Sequence, residues 1–272
     1  MRTDGVTFSI ARHAQWAPGL TTAAEWEQWA QAPYPIEGEG EPGVKAMPPM
    51  LRRRAGLFGK MALEVAYQCL DGLETADGAD IPTVFCSRHG EVARALALLT
   101  DLANGEPLSP TAFSMSVHNA NAGLLGIARK DRANHIALAA GGATIEHAVI
   151  EACGLLADGA PRVLLVACEA PLPALFAPFR DIDEQAHAWA WLMTPAAQAP
   201  LSLHWRASDA AASVEAPGGL AVAAFHLSGA ASMERCDGRL RWRWSRADSS
   251  GAAGTMGAMN AMGAMGAIHG TA

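Results

Sequence analysis

The chain has 272 residues, a formal net charge of −7, half of its residues hydrophobic and 17 % charged. At roughly 100–200 residues per domain this is one large domain, or two small ones at most, with a core that hides on the order of 70 % of the unfolded surface. High apolar content with low charge excludes disorder throughout. The acidic balance, 27 Asp and Glu against 20 Lys and Arg, argues against a nucleic-acid binder.

No run of about 18 apolar residues is present, so no membrane span is expected. The N-terminus, Met1 to Gly5, carries Asp4 early and no apolar stretch, so no signal peptide is expected either. The five cysteines (Cys69, Cys86, Cys153, Cys168, Cys236) are scattered, odd in number and never in a C-x-x-C pair. That pattern predicts reduced, buried thiols in the cytoplasm and neither a disulfide frame nor a metal site.

In chain order, Val6–Ile10 alternates apolar and polar residues and predicts a strand. Residues 16–50 are rich in Pro and Gly and read as a loop excursion with one short helix over 22–31. Leu51–Leu70 carries helical apolar spacing and stops near Gly72. Pro82–Cys86 predicts a buried strand, Glu91–Ala103 a helix ending at Asn104-Gly105, Ser109–Val117 an irregular or extended segment, and Asn119–Lys130 a short helix. His135–Ala140, the turn Gly141-Gly142, the helix Thr144–Ala157 and the strand Arg162–Cys168 form a βαβ unit, which implies parallel strands and a right-handed crossover. Ala188–Met193, Leu201–Trp205, Leu220–Leu227 and Arg239–Trp244 read as further strands. In the last, Arg239, Arg241 and Arg243 alternate with Leu240, Trp242 and Trp244, as in an edge strand. The domain is assigned to residues 1–248. From Gly251 onward 17 of 22 residues are Gly, Ala or Met, and residues 249–272 read as a low-complexity, disordered tail.

Few residues have the arrangement that chemistry needs. Gly141-Gly142 joins a strand to a helix, a geometry that suits a nucleophile elbow or a phosphate cradle. No Ser or Cys stands at the tip, no Lys follows as in a P-loop, and no G-x-G-x-x-G is present. Thr144 reads as a helix cap. Cys86-Ser87-Arg88-His89 ends a strand and offers a thiol or hydroxyl with a nearby imidazole. His118-Asn119 precedes a helix and reads as a cap or core lining. His13, His135, His147, His187, His204 and His226 stand alone, without the spacing of a metal-binding helix. Arg52-Arg53-Arg54 falls at a predicted helix start, where the dipole disfavours cations, and so points to an anionic partner.

Ser109-Pro110, Phe113, Asn119 and Ala122-Gly123 follow an S-P-x-x-F…N-x-x-A-G pattern. The run from His135 through the elbow, Ala152, Asp158-Gly159 and Arg162–Glu169 has the order T-A-C-x-S-G…A…G-x-x-D-x-V-L-x-G-x-x-E with Gly142 at the cysteine. These segments resemble β-ketoacyl-acyl carrier protein synthases of the thiolase fold. Phe85–Glu91 (FCSRHGE) with Phe113–Asn119 (FSMSVHN) is similar to the β-ketoacyl synthase-like N-terminal family, which includes chain length factors of aryl polyene type clusters. The similarity spans about residues 6–245.

The resemblance implies an α/β thiolase-like fold, the N-terminal half of a ketosynthase, with a mixed, mainly parallel sheet and flanking helices. It also implies the loss of catalysis. A condensing enzyme holds its acyl chain on a thiolate activated at a helix N-terminus, and Gly142 offers none. The fold is a duplication whose second half carries the decarboxylating histidines, and 272 residues accommodate one half plus a tail. His269-Gly270-Thr271 matches the synthase H-G-T string by coincidence. The expected role is that of a chain length factor in fatty acid, aryl polyene or polyketide synthesis. It would need no cofactor, pair with a full-length β-ketoacyl-ACP synthase as a heterodimer, and meet the acyl carrier protein. Phe85, Arg88, His89, Phe113, Met115 and His118 are the expected tunnel residues, and Arg52, Arg53 and Arg54 the expected docking residues. The alternative is a stand-alone acyl-thioester transferase or hydrolase using Cys86 or Ser87 with His89 or His118.

Overall fold

A computed structural model describes residues 4–73, 81–211 and 217–246. The low-complexity tail and the domain boundary at 248 lie outside the described residues. Eight strands form one sheet: β1 (Asp4–Trp16), β2 (Thr83–Cys86), β3 (His135–Leu138), β4 (Val163–Glu169), β5 (His187–Pro195), β6 (Leu201–Ala207), β7 (Ser232–Cys236) and β8 (Leu240–Arg246). Their order is β3-β2-β4-β5-β1-β6-β8-β7. The eight helices are α1 (Ala23–Gln31), α2 (Pro49–Arg52), α3 (Leu57–Leu70), α4 (Val92–Ala103), α5 (Pro110–Ser114), α6 (Ala120–Arg129), α7 (Thr144–Ala157) and α8 (Gly218–Ser228).

The sheet is mixed, but it is not mainly parallel as expected. Only β3-β2-β4 is parallel, and the other five pairings are antiparallel. Parallel neighbours need a crossover helix. α4 to α6 and then α7 supply crossovers early in the chain, whereas β4 reaches β5 through a loop with a short 3-10 turn, and β7 reaches β8 through the tight turn at Asp237-Gly238. Three local expectations are also corrected. Leu220–Leu227 is helix α8, begun after Pro217 and ended at Gly229 in the left-handed region (φ 73°). It lies against α1, α7 and β4 and is apolar nearly all round, so it showed no helical period. Leu240–Trp244 lies in β8, an interior strand between β6 and β7, with Arg239 just before it. Ser109–Val117 contains α5, capped where the Ser109 hydroxyl accepts from the amide of Ala112 at 3.2 Å.

Two cores sandwich the sheet. In β5, Trp189, Trp191 and Met193 join the core under α1, α7 and α8, while Ala188, Ala190 and Leu192 join the core under α3 and α6. The alternation of indole and methyl lets α3 sit close on one face while the aromatic rings fill the other. Trp26, Trp189, Trp191, Trp242 and Trp244 are all fully buried, each removing on the order of 200 Å² from water, or about 5 kcal/mol as an upper figure.

Candidate functional site at the strand ends

β2, β3 and β4 run parallel, so their carboxyl ends open on one edge of the sheet, where ligand sites of α/β folds gather. Cys86-Ser87-Arg88 follows β2, Gly141-Gly142 follows β3, and Glu169 closes β4. Around them lies a cavity of about 180 Å³ lined by Arg88, both elbow glycines, Glu169, Glu184 and Arg235, among others. Helices α7 and α8 both begin at this cavity, neither with a side-chain cap.

The elbow is built by its own backbone. Gly141 takes φ +58°, which a side chain rarely adopts. Thr144 is the first residue of α7 and not its cap. Its hydroxyl donates to the Gly141 carbonyl at 2.7 Å and accepts from the Ala140 amide at 3.0 Å, fastening the turn. Gly142 differs from Gly141. Its φ is not positive, and a Cβ placed there meets no atom within 4 Å. Neither strain nor packing requires glycine at the tip.

Most polar groups around the tip bond one another, while Arg88 Nε and the Oε2 atoms of Glu146 and Glu184 are buried without a hydrogen-bond partner among the described residues. The Arg88 guanidinium holds Asp181 at 2.7 and 2.9 Å and Glu184 at 3.3 Å. Glu169 accepts from the Arg88 amide at 2.7 Å and from the Ser87 hydroxyl at 3.1 Å. Burial, reinforced by the charge of Glu184, pushes the Glu169 carboxyl up to about 8, so it is mostly neutral at pH 7. Burial also raises Glu184, while the hydrogen bond from Arg88 lowers Asp181. On the far wall, Arg235 donates to the fully buried Glu146 at 2.6 Å and to the Gly142 carbonyl at 3.2 Å. Sequence reasoning reached Glu169 through the end of its strand run; Glu146, Asp181, Glu184 and Arg235 went unnoticed as site residues.

The six expected tunnel residues separate. Arg88 lines the elbow cavity. Phe85 and His118 share a much smaller void, about 10 Å³, with Cys86, Ser87 and Asn121. Met115 is buried in the core under α3, whereas Phe113 on α5 is 65 % exposed. His89 is half-buried, and burial together with the Arg88 charge lowers its pKa.

No nucleophile–base pair forms at Cys86-Ser87. Cys86 is buried, and burial with the charges of Glu169 and Glu146 drives its thiol pKa well up, away from thiolate. The His118 Nε2 bonds the Ser87 carbonyl at 3.1 Å, while the Ser87 hydroxyl serves Glu169 and the Gly90 amide. Gly90 has φ +58°, and a Cβ there would fall 2.8 Å from the His118 ring.

Arg52-Arg53-Arg54 ends α2 and does not begin a helix, so the dipole argument for an anionic partner falls. Arg52 donates to the Gly43 and Val44 carbonyls at 3.2 and 3.3 Å and Glu64 accepts from the Val44 amide at 2.6 Å. Together they hold Val44, a β-branched residue at φ 41°, in a strained turn. Arg53 and Arg54 are exposed. Among the described residues, all five cysteines are buried and none forms a disulfide, no group of three side chains has a metal-binding arrangement, and no helix is long and apolar enough to cross a membrane.

Residues 26–245 match the family described as β-ketoacyl synthase, N-terminal domain. The chain is a member of that family. A solved chain of the ketosynthase ApeO in complex with its chain length factor ApeC, from Xenorhabdus doucetiae, is 28 % identical over 89 % of this chain and 100 % of that one, with a TM-score of 0.77. The ishigamide ketosynthase/chain length factor (17 % identity, 74 % and 68 % covered, TM-score 0.57) and a β-ketoacyl synthase from Burkholderia phymatum STM815 (13 %, 83 % and 71 %, TM-score 0.57) share the fold. No curated protein matches the chain. The expected thiolase-like fold is thus established. Within this β-ketoacyl synthase domain, the tip of the elbow is an open position that holds glycine.

Proposed function

We propose that the chain is a chain length factor. It pairs with a full-length β-ketoacyl synthase and completes the wall of the acyl tunnel that the partner's chemistry fills. The observation that carries the reading is the pairing of an empty elbow with an exposed apolar surface. Gly142 gives no atom to acylate, while Leu99 and Leu102 of α4, Leu108, Phe113 of α5 and Val117 are 42 to 65 % exposed, and α4 packs on α5. Apolar groups gathered in this way mark interaction surfaces. β3 is an edge strand of the sheet and adds unpaired backbone groups that a second sheet can extend. The full-length match to a chain of a ketosynthase–chain length factor complex supports the same reading.

On this reading Phe113 reaches into the partner's tunnel and sets where the acyl chain stops. Each further methylene forced against it costs about 1–3 kcal/mol. Phe85 and Met115 are buried within the chain, His89 is half-buried and His118 exposed, and Arg88 fixes the loop over the elbow. The chain carries no independent activity and needs no cofactor. Its products are fatty acid, aryl polyene or polyketide chains. The growing chain arrives on an acyl carrier protein, for which Arg53 and Arg54 remain available now that Arg52 is spent on the Gly43–Val44 turn. Five buried cysteines outside any disulfide suit the reducing cytoplasm.

The test is co-expression with a ketosynthase that has the elbow cysteine, followed by size-exclusion chromatography with light scattering. A one-to-one complex is expected, and separate elution of the two chains refutes the pairing. Incubating this chain alone with an acyl-acyl carrier protein should leave no covalent adduct by mass spectrometry. An adduct on Cys86 or Ser87 would instead establish the transferase alternative.

A further inference from the structure

At the end of the sheet opposite β3, one face of the last strands carries charge. Trp242 and Trp244 of β8 and Leu203 of β6 point into the core under α7 and α8, so their neighbours point the other way. The register sets Arg206 opposite Arg241 and His204 opposite Arg243, with Glu234 of β7 opposite Arg243. Together with Trp205 these side chains line a shallow concavity of about 400 Å³. Arg241 and Arg243 share Glu234 at 3.6 and 3.5 Å and keep 37 % and 59 % of their side chains exposed. Arg206 is exposed and has no acidic partner among the described residues. The His204 ring lies over Gly5, where a Cβ would fall 2.2 Å from its Nδ1, and that nitrogen has no hydrogen-bond partner.

We infer that this face of β6, β8 and β7 docks an acidic helix of a partner protein. Three arginines around a single glutamate leave cationic charge unmatched on a chain of net charge −7, and neighbouring like charges on a sheet cost stability. The grid has the right pitch. Strands lie about 5 Å apart and alternate residues about 7 Å apart, while carboxylates one turn apart on a helix are about 5–6 Å apart at Cβ. Guanidinium forks suit carboxylates bidentately. Nucleic acid fits less well. Its binding draws on about six to ten phosphate contacts, and this patch has three arginines with an acid among them.

The probe is a fluorescein-labelled, Ala-based helical peptide with two Glu-x-x-x-Glu pairs, titrated with the full chain and read by anisotropy. Binding in 50 mM salt is expected to weaken about tenfold in 250 mM salt, as screening shortens the reach of the charges. The same peptide with Gln for Glu should not bind. Arg241→Glu with Arg243→Glu should weaken binding at least tenfold, as should Arg206→Glu, a single change at an exposed position. Arg53→Glu with Arg54→Glu should leave it within twofold. The inference is overturned if the Glu peptide does not bind, if the Gln peptide binds as well, if a single-stranded oligonucleotide of equal length binds as tightly, or if the Arg53/Arg54 reversal is as damaging as the Arg241/Arg243 reversal. Pairing with a ketosynthase is read in a different experiment, so either result stands without the other.

Discussion

The elbow cavity and the α4–α5 surface differ in how their groups are used. At the elbow, Arg88, Ser87, Glu169, Asp181 and Glu184 bond one another, and Arg235 closes on Glu146 and the Gly142 carbonyl. At α4–α5, Leu99, Leu102 and Phe113 face outward and satisfy nothing within the chain. The difference locates unspent interaction energy at the surface. Most of the cavity's polar groups bond within the fold, whereas Leu99, Leu102 and Phe113 remain exposed.

Breaking the cavity should therefore harm stability. Arg235→Ala strands Glu146, which is fully buried, and should cost about 3–5 kcal/mol in urea unfolding. Less than about 1 kcal/mol would mean that the wall is loose. Breaking the surface should harm only association. Leu99→Asp with Leu102→Asp is expected to weaken the ketosynthase complex by about 2–4 kcal/mol, measured by calorimetry, with the unfolding midpoint of the isolated chain nearly unchanged. Loss of folding instead would place these leucines in the core.

The cavity also has a pH signature. Glu169 is raised to about 8, so the folded chain keeps a proton that the unfolded chain releases near 4.5, and the stability this group contributes is lost as pH rises towards 8. His187 and His226 are lowered to about 4 and about 3 by burial. Their contribution is present above 6.5 and is lost as pH falls towards those values. Stability should peak near pH 6.5, and Glu169→Gln should flatten the limb above 6.5 while steepening the rise between about 4.5 and 6.5. An unchanged limb in urea titrations at pH 6.5 and 8 would assign it elsewhere. The smallest effect is expected at Arg53→Glu with Arg54→Glu. Both side chains are exposed, so stability should move by less than about 0.5 kcal/mol.

The sequence carried much of this account, unevenly. The strands around 82–86 and 162–168 were legible as short apolar runs, buried at every position, and the helices over 91–103, 119–130 and 144–157 by the helical spacing of their apolar residues. α8 was not, since burial on nearly all sides erases the period and leaves Pro217 and Gly229 as the only signals. β7 was missed because SMERC, a partly exposed edge strand, has no apolar face to read. The glycine at the elbow tip was legible, but its openness was not, because that depends on side chains from distant segments. The same holds for the acids: Arg88 meets Asp181 across 93 residues and Glu184 across 96, and no local pattern encodes such a contact. Arg52 shows the converse. Its run of charge invited a docking role, while its bonds go to a strained turn.

Product length measures the central claim most directly. In the reconstituted complex with a ketosynthase, Phe113→Ala should shift the product distribution to longer chains, and Phe113→Trp to shorter ones, by mass spectrometry at unchanged one-to-one stoichiometry. An identical distribution from wild type and both variants, with the complex intact, would contradict the account.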